Sequence, residues 1–229
     1  MLYNNDKELF ELMRTKLYTA VVGDILDKKR RFHQFLPADI RPITPDMIVA
    51  GRAMPVLEAD VHGFDMESAH TNLLNKSFGM MLEALDDIKN DEVYICSGSS
   101  LNYALVGEIM CTRMQYLGGA GTVVNGYHRD TNGILELGFP CFSYGAYAQD
   151  QAPRGKVLDY RVPISINGIE IKPGDIIFGD RDGVLVIPQD IEAEIIEEAY
   201  DKAVNENIVG KAIRNGLSAV DSWNKHHIM

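Results

Sequence analysis

Residues 107–133 read GEIMCTRMQYLGGAGTVVNGYHRDTNG. The spacing of apolar residues predicts a helix from about Leu105 to Leu117, and the two glycines after it predict its end. A strand is predicted over TVVN (122–125), and the apolar run VYIC (93–96) predicts another strand before the helix. A helical turn, ILEL, and a further strand, FPCF, follow. Because strands and helices alternate, this part of the chain predicts a parallel α/β layer.

The segment before this stretch contains two predicted short helices and a strand. One helix is expected over residues 5–14, and Thr19 stands where it could cap a second helix over AVVGDILDK (20–28). The run GRAMPVLEA (51–59) has the character of a strand. Apolar residues at three-to-four spacing between Met66 and Lys89 predict a long amphipathic helix.

From Arg161 onward, apolar residues recur at every second position, which is typical of antiparallel strands. VPISI and IEI flank Asn167-Gly168, a strong hairpin signal, and DIIFGD and VLVIP form a second predicted pair. Residues 189–215 are predicted to be helical, with a short helix after Gly216. These elements predict an α/β fold with β/β/α layers, a single domain over residues 1–229 with a C-terminal helical arm at about 189–229. The arm could pack on another subunit or remain a solvated helix, and the sequence favours neither.

Composition and charge exclude several classes of protein. The chain has 229 residues and a formal charge of −11, with 22 basic and 33 acidic side chains, so direct nucleic-acid binding is not expected. Its three cysteines form no CxxC pair, which argues against a disulfide framework or a cysteine zinc site. No signal peptide and no apolar stretch of roughly 18 residues is evident, so a cytoplasmic protein without membrane contact is expected.

Two groups within residues 107–133 could bind a ligand together. The predicted helix start at Gly107–Met110 offers backbone N–H groups to a carboxylate. Arg129 and Asp130 follow the predicted strand, at the edge where α/β sheets place ligands. Arginine offers a planar fork for a carboxylate or enolate oxygen, and aspartate offers a hard oxygen for Mg²⁺ or Mn²⁺. The alternative is an ordinary surface ion pair, with Asp130 as the N-cap of a helix at Ile134.

Other polar groups carry weaker signals. Acidic and histidine side chains crowd residues 62–70, where they could bind a metal or form a solvated helix start: His62, Asp65, Glu67 and His70. The glycines at 118–121 precede a strand, whereas dinucleotide-binding loops follow one, which excludes that kind of site. Asp180 and Asp182 are expected to form a hairpin turn.

Five blocks of sequence occur in order along nearly the whole chain. They read GEIM, GGAGTVVNGYHRD, ELGFPCF, VPISINGIEIKPGDIIFGDRDGVLVIP and IRNGLSAVDSW. In this combination the chain resembles the regulator of ribonuclease activity A-like (RraA-like) family, which includes class II aldolases acting on 4-hydroxy-4-methyl-2-oxoglutarate and 4-carboxy-4-hydroxy-2-oxoadipate. The resemblance implies a swivelling β/β/α domain that assembles as homotrimers or homohexamers with active sites at subunit interfaces.

The resemblance also implies roles for individual residues. Asp130 would be the protein ligand of a divalent cation, Mg²⁺ or Mn²⁺, and Arg129 would contact a 2-oxo acid substrate. The backbone of the helix start would bind the pyruvyl carboxylate, through Gly107, Glu108, Ile109 and Met110. Glu108, where the aldolases typically have Asp, would orient the water that accepts the C4 hydroxyl proton. A glutamate of a neighbouring subunit is expected to complete the site, and Glu206 is its candidate.

The function implied by the resemblance is metal-dependent formation or cleavage of a pyruvate enolate, by a 4-hydroxy-2-oxo acid aldolase or an oxaloacetate decarboxylase. Decarboxylation passes through the same enolate and needs no base for a C4 hydroxyl. A protein-binding regulator of ribonuclease E type is the rival hypothesis, since the acidic charge suits a basic partner. A metal-dependent sugar-acid epimerase, isomerase or dehydratase is a third, motivated by Tyr127, His128 and the insert at 60–70.

Overall fold

A computed structural model describes residues 2–61, 73 and 75–227 of the chain. The helices in these residues are α1 (Asp6–Lys16), α2 (Thr19–Lys28), α3 (Met81–Asp86), α4 (Glu108–Tyr116), α5 (Thr131–Leu137), α6 (Glu192–Arg214) and α7 (Ala219–His226). The strands are β1 (Arg41–Pro42), β2 (Val49–Asp60), β3 (Glu92–Ser97), β4 (Ala104–Val106), β5 (Gly121–Val124), β6 (Tyr127–His128), β7 (Cys141–Ser143), β8 (Gly155–Tyr160), β9 (Ile164–Ile166), β10 (Ile169–Ile171), β11 (Ile176–Asp180) and β12 (Gly183–Ile187).

The main sheet has a parallel half and an antiparallel half. β2, β3, β5 and β7 run parallel in that order, which confirms the layer predicted from the alternation of strands and helices. On the other side of β2, β11 pairs with it in antiparallel fashion and β12 follows β11. β1 pairs with β7 at the far edge. β8, which was not predicted from the sequence, pairs antiparallel with the second part of β2.

The two faces of the parallel half are covered by different layers. In β3, Tyr94 and Cys96 face the cluster that includes α3 and α4, whereas Val93 and Ile95 face the hairpin of β9 and β10. All four side chains are buried, as expected of a parallel sheet that is covered on both faces. Two β layers and one helical layer therefore confirm the predicted β/β/α fold.

Both predicted hairpins are confirmed. β9 pairs with β10 around Asn167 and Gly168, whose φ angles of 51° and 80° suit a two-residue type I′ turn. β11 pairs with β12, and the Asp180 carboxylate at the end of β11 accepts a hydrogen bond from the Asp182 N–H at 2.9 Å. Asp180 thus has the predicted role in its turn.

Asp180 also explains why one prediction is wrong. Thr19 is not the N-cap of α2; Tyr18 holds that position and its side chain makes no capping hydrogen bond. Instead, the backbone N–H and the hydroxyl of Thr19 both donate to the Asp180 carboxylate at 2.7 Å. The first turn of α2 is therefore held by a side chain that is remote in sequence, which local sequence does not reveal.

The helix predicted from Leu105 to Leu117 is shorter than expected. Its first residues belong to β4, which pairs in parallel with β6, and α4 begins only at Glu108. Gly107 lies between them in extended conformation, with φ −141° and ψ −179°. The change of conformation after Gly107 brings the start of α4 next to the end of β6.

The prediction of a long helix between Met66 and Lys89 is wrong for most of its described part. Residues 62–72 and 74 lie outside the described residues, and the histidine and acidic cluster lies with them: His62, Asp65, Glu67 and His70. Between residues 75 and 89, only α3 is helical. Gly79 has a φ of 64°, and the N–H of Met80 donates to the Val157 oxygen of β8 at 2.9 Å. This segment therefore follows the edge of β8 before α3 begins.

The predicted C-terminal arm begins in the protein core. Ile195 and Ala199 of α6 are buried against α1, α2 and the antiparallel half of the sheet. The later part of α6 and α7 instead expose apolar side chains, namely Val204, Ile208, Ile213, Val220 and Trp223. Within the described ranges, no helix combines the length and apolar character required to cross a bilayer.

Candidate active site

A cavity of about 220 Å³ opens between the start of α4, the residues after β6, and α3. Met81 and Leu85 of α3 contribute to an apolar wall. The facing wall carries the polar side chains, which are Arg129, Asp130, Asp150 and Gln151. The cavity therefore combines charge for an anionic ligand with an apolar surface that shields it from water.

The start of α4 presents backbone donors at this cavity. Gly107 is the N-cap, and no side chain caps the helix. The first intrahelical bond runs from the Cys111 N–H to the Gly107 oxygen at 3.1 Å, so the N–H groups of the first turn have no partner within the helix. Gly107, Ile109 and Met110 line the cavity. The positive end of the helix dipole adds to the attraction for an anion.

Asp130 lies where β6 leads into α5, in the left-handed conformation with φ 56° and ψ 41°. It is the N-cap residue of α5 and forms a partly exposed ion pair with Arg129, as the alternative predicts, but its side chain makes no capping hydrogen bond. A Cβ atom at Gly107 would lie 2.5 Å from Asp130 Oδ2. The carboxylate thus rests directly against the start of α4 and lines the cavity.

Arg129 lies between two carboxylates. Its Nη1 is 2.8 Å from Asp150 Oδ1, and its Nε is 3.6 Å from Asp130 Oδ2. The arginine side chain is 38% exposed, so solvent weakens both ion pairs and they orient the guanidinium more than they stabilise the fold. Asp150 was not identified from the sequence, because it lies in an irregular segment after β7 that has no motif.

Glu108 does not line the cavity. Its carboxylate lies over Gly133 of α5, where a Cβ atom would collide with it. The structure therefore brings the backbone of the helix start to Arg129 and Asp130, but it places the Glu108 side chain on the α5 side of the helix.

His128 is a buried side chain next to the Arg129-Asp130 pair. It is 3% exposed, and its Nδ1 and Nε2 lie 2.7 Å from Ser143 Oγ and 3.1 Å from Thr131 Oγ1. Burial lowers the pKa of His128, so the imidazole is neutral at physiological pH. With both ring nitrogens engaged, His128 ties the residues next to Asp130 to Ser143 of β7, and it does not line the cavity.

Glu206 has partners within its own chain. It accepts a hydrogen bond from the Tyr18 hydroxyl and lies 3.4 Å from the Lys202 ammonium, one turn earlier on α6. Proximity to Glu206 is one of the causes that raise the pKa of Tyr18, after burial. The contact of Glu206 with a neighbouring subunit stays a prediction.

Within the described residues, the carboxylates that line the cavity belong to Asp130 and Asp150. Asp130 offers a half-exposed carboxylate at the cavity wall. Among residues 2–61, 73 and 75–227, no group of three or more His, Cys, Asp or Glu side chains is arranged to hold an ion.

The sequence profile of the RraA-like family, described as Aldolase/RraA, matches residues 19–186. The chain belongs to the RraA-like family. The matched residues include both the start of α4 and the Arg129-Asp130 pair, so the cavity lies within the part of the chain that defines the family.

Two RraA-like relatives carry aldolase names. A Halalkalibacterium halodurans protein with the provisional name 4-hydroxy-4-methyl-2-oxoglutarate aldolase is 32% identical over 133 residues, 58% of this chain and 63% of that protein. A 4-hydroxy-4-methyl-2-oxoglutarate aldolase of Thermus thermophilus is 32% identical over 97 residues, 42% of this chain and 58% of that protein. The matches thus span less than two thirds of either relative.

A solved structure extends the similarity of fold over most of the chain. Streptomyces coelicolor RraAS2, described as an unusual member of the RNase ES inhibitor RraA protein family, superimposes with a TM-score of 0.73 at 22% identity. The superposition covers 90% of this chain and 97% of that one. It supports the RraA-like fold, while the activity must be argued from the site.

Proposed function

We propose that this protein is a divalent-metal-dependent lyase that forms or cleaves a pyruvate enolate, as an oxaloacetate decarboxylase or a 4-hydroxy-2-oxo acid aldolase. The observation that carries the proposal is the convergence of a guanidinium, a carboxylate and an uncapped helix start on one small cavity. The aldolase names of two relatives point to the same class of reaction.

The Asp130 carboxylate suits a hard cation such as Mg²⁺ or Mn²⁺. It is 46% exposed and makes no capping hydrogen bond to α5, so it could bind an ion while the backbone of Asp130 keeps its place at the start of that helix. A site with one carboxylate and several waters matches the preference of Mg²⁺ for retained water. When bound, the cation would act as a Lewis acid on the oxygens of a 2-oxo acid.

The other groups of the cavity have separate tasks in this proposal. The N–H groups at the start of α4 bind the C1 carboxylate of the substrate. Arg129 stabilises the negative charge that develops on the C2 oxygen as the enolate forms. Asp150 holds the guanidinium in place, and the apolar wall from α3 limits the access of water.

Glu108 separates the two reactions. Aldol cleavage requires removal of the C4 hydroxyl proton, and we assign Glu108 to orient the water that accepts it. Its carboxylate would have to swing away from Gly133 to reach the cavity. Decarboxylation of oxaloacetate needs no such base, so we expect it to be the more readily observed activity.

We further propose that the protein works as a homotrimer or homohexamer with cavities at subunit interfaces. The resemblance to the RraA-like family implies such an assembly. The mouth of the cavity carries two exposed apolar side chains, Ile109 at 84% and Leu82 at 56% exposure, which a neighbouring subunit would cover.

The proposal is tested by the release of pyruvate from oxaloacetate with Mg²⁺ or Mn²⁺. Turnover is expected to disappear with EDTA and to fall by a factor of roughly 10²–10³ in Asp130→Ala and Arg129→Ala, because each removes a group that stabilises the enolate. Glu136→Gln, which neutralises an exposed carboxylate of α5, is the matched control and should retain turnover.

Turnover that resists EDTA or survives Asp130→Ala would refute the proposal. A purified protein that turns over no oxo acid and instead inhibits a ribonuclease would support the regulator hypothesis. A panel of 4-hydroxy-2-oxo acids and sugar acids, run with the same variants, identifies the substrate class.

A further inference from the structure

Glu58 of β2 is a buried acid behind the polar wall of the cavity. The residue is 1% exposed, and its Oε2 accepts a hydrogen bond from Gln151 Nε2 at 2.5 Å. Its other oxygen, Oε1, has no hydrogen-bond partner within the described part of the chain. An ionised carboxylate in this position would lose its hydration and gain a single hydrogen bond, so the environment favours the neutral acid.

The titratable groups that face Glu58 within the described residues do not compensate its charge. Tyr94 and Cys96 approach it from β3, and Tyr103 approaches it from the segment before β4. Burial raises the pKa of all three, so they are neutral at physiological pH. Asp60, two residues further along β2, accepts a hydrogen bond from the Tyr103 hydroxyl at 2.7 Å. Burial also raises the pKa of Glu58 to about 8, within reach of ordinary solution conditions.

The charged groups near Glu58 on β8 and on the cavity side bind other partners. On β8, the neighbouring strand, the Lys156 ammonium donates to the backbone oxygen of Ser77 at 3.0 Å. On the cavity side, Arg129 and Asp150 bind each other at 2.8 Å. Among the residues that the structure describes, Gln151 is therefore the polar side chain that both contacts Glu58 and lines the cavity.

Gln151 is held firmly between the acid and the cavity. It is 5% exposed and lines the cavity beside Arg129 and Asp150. Its backbone oxygen accepts a hydrogen bond from the Arg154 N–H at 2.7 Å, which fixes its position in the chain. Because the amide nitrogen donates to Glu58, the amide oxygen is the end that remains for a ligand.

We propose that Glu58 and Gln151 act as a pair in which the protonation of the buried acid decides which end of the Gln151 amide faces the bound ligand. Ionised Glu58 accepts a hydrogen bond from the amide nitrogen, and the cavity receives the amide oxygen. Protonated Glu58 donates its O–H to the amide oxygen once the amide has turned over, and the cavity receives N–H donors. The proton is exchanged with solvent, and no covalent bond of the side chains changes.

In this proposal, Gln151 determines which ligand oxygens the cavity accepts, and Glu58 positions the Gln151 amide. A carboxylate or enolate oxygen is bound by an N–H donor and repelled by an amide oxygen. The negative charge of ionised Glu58 acts in the same direction. An oxo-acid ligand should therefore bind more tightly to the protonated form. The ligand class rests on the proposed function, whereas the coupling between Glu58 and the amide does not.

The test follows the side-chain amide of Gln151 by proton–nitrogen NMR in the full chain, with its signals assigned by their loss in Gln151→Met. The signals are expected to titrate in wild type with a midpoint near the pKa of Glu58, about 8. The titration should disappear in Glu58→Gln, which keeps a donor and an acceptor without a charge, and persist in the control Glu136→Gln. Pyruvate with Mg²⁺ should bind wild type about tenfold more tightly at about pH 6 than at about pH 9. In Glu58→Gln this difference should vanish.

Gln151 signals that do not titrate would overturn the inference, as would a titration that is unchanged in Glu58→Gln. Titrating signals in a protein with no affinity for pyruvate at any pH would refute the proposed function and still support the pair. If Glu58→Gln fails to fold, the wild-type titration decides, because it needs no variant of Glu58.

Discussion

Gly107→Ala tests the geometry of the site by adding a single methyl group. A Cβ atom at this position would lie 2.5 Å from Asp130 Oδ2 and 3.3 Å from Arg129 Cγ, so one methyl group meets both proposed functional side chains. The backbone itself is not strained by the change, because a φ of −141° is open to any residue. The substitution therefore displaces two side chains while leaving the chain path of α4 intact.

The expected effects on stability and activity differ in size. Replacing a glycine N-cap by alanine costs about 1 kcal/mol or less, and the displaced side chains are half-exposed and can move into solvent. The free energy of unfolding, measured by urea denaturation, should thus change little. Moving Asp130 and Arg129 away from the helix start should reduce oxaloacetate decarboxylation by a factor of roughly 10².

Gly210→Ala provides the control. A Cβ atom there, on α6, has Arg214 Nη2 as its nearest neighbour at 3.6 Å, an ordinary contact. The control should be more stable than wild type by about 0.5–1 kcal/mol, as for other glycines within helices, and fully active. Full activity of a folded Gly107→Ala protein would refute the assignment of this cavity as the active site.

Three further changes probe other contacts. Gly133→Ala places a methyl group where the Glu108 carboxylate lies. When both substrates are assayed, the rate of aldol cleavage should change and oxaloacetate decarboxylation should persist. Equal loss of both activities would contradict the role of Glu108. Thr19→Val removes the hydroxyl bond to Asp180 and should lower the free energy of unfolding by about 1 kcal/mol in urea; no loss would contradict the remote cap. Folded Glu58, whose pKa burial raises from 4.5 to about 8, retains a proton that the unfolded chain loses. The free energy of unfolding should therefore fall between about pH 5 and pH 8 in wild type and fall less in Glu58→Gln; equal slopes would contradict this.

The parts of the fold that were predictable are those specified by local patterns. Asn167-Gly168 can adopt the positive φ angles of a tight hairpin, and the flanking alternation sets its register. The buried apolar runs of β3 and β5 are long enough to be recognised as strands. Elements set by tertiary contacts were missed, as β8 was, because its edge pairing with β2 leaves no regular alternation in KVLDY.

The contacts of the candidate site also divide into those that local sequence predicts and those that depend on tertiary packing. The helix start at Gly107 and the Arg129-Asp130 pair lie within one stretch of 107–133, so their proximity could be anticipated. The partner of Arg129 could not, because Asp150 reaches it from an irregular segment. The same holds for the contact between Glu58 and Gln151, which joins the end of β2 to that segment. Such contacts depend on packing that no local spacing encodes.

The proposed function depends on a divalent cation held by Asp130 beside the start of α4 and Arg129. It is tested most directly by titrating the purified protein with Mn²⁺ in the presence of pyruvate and measuring free Mn²⁺ by electron paramagnetic resonance. We expect saturable binding of one ion per chain by wild type and by Glu136→Gln, and a loss of at least about tenfold in affinity in Asp130→Asn. Unchanged Mn²⁺ affinity in a folded Asp130→Asn protein would contradict it.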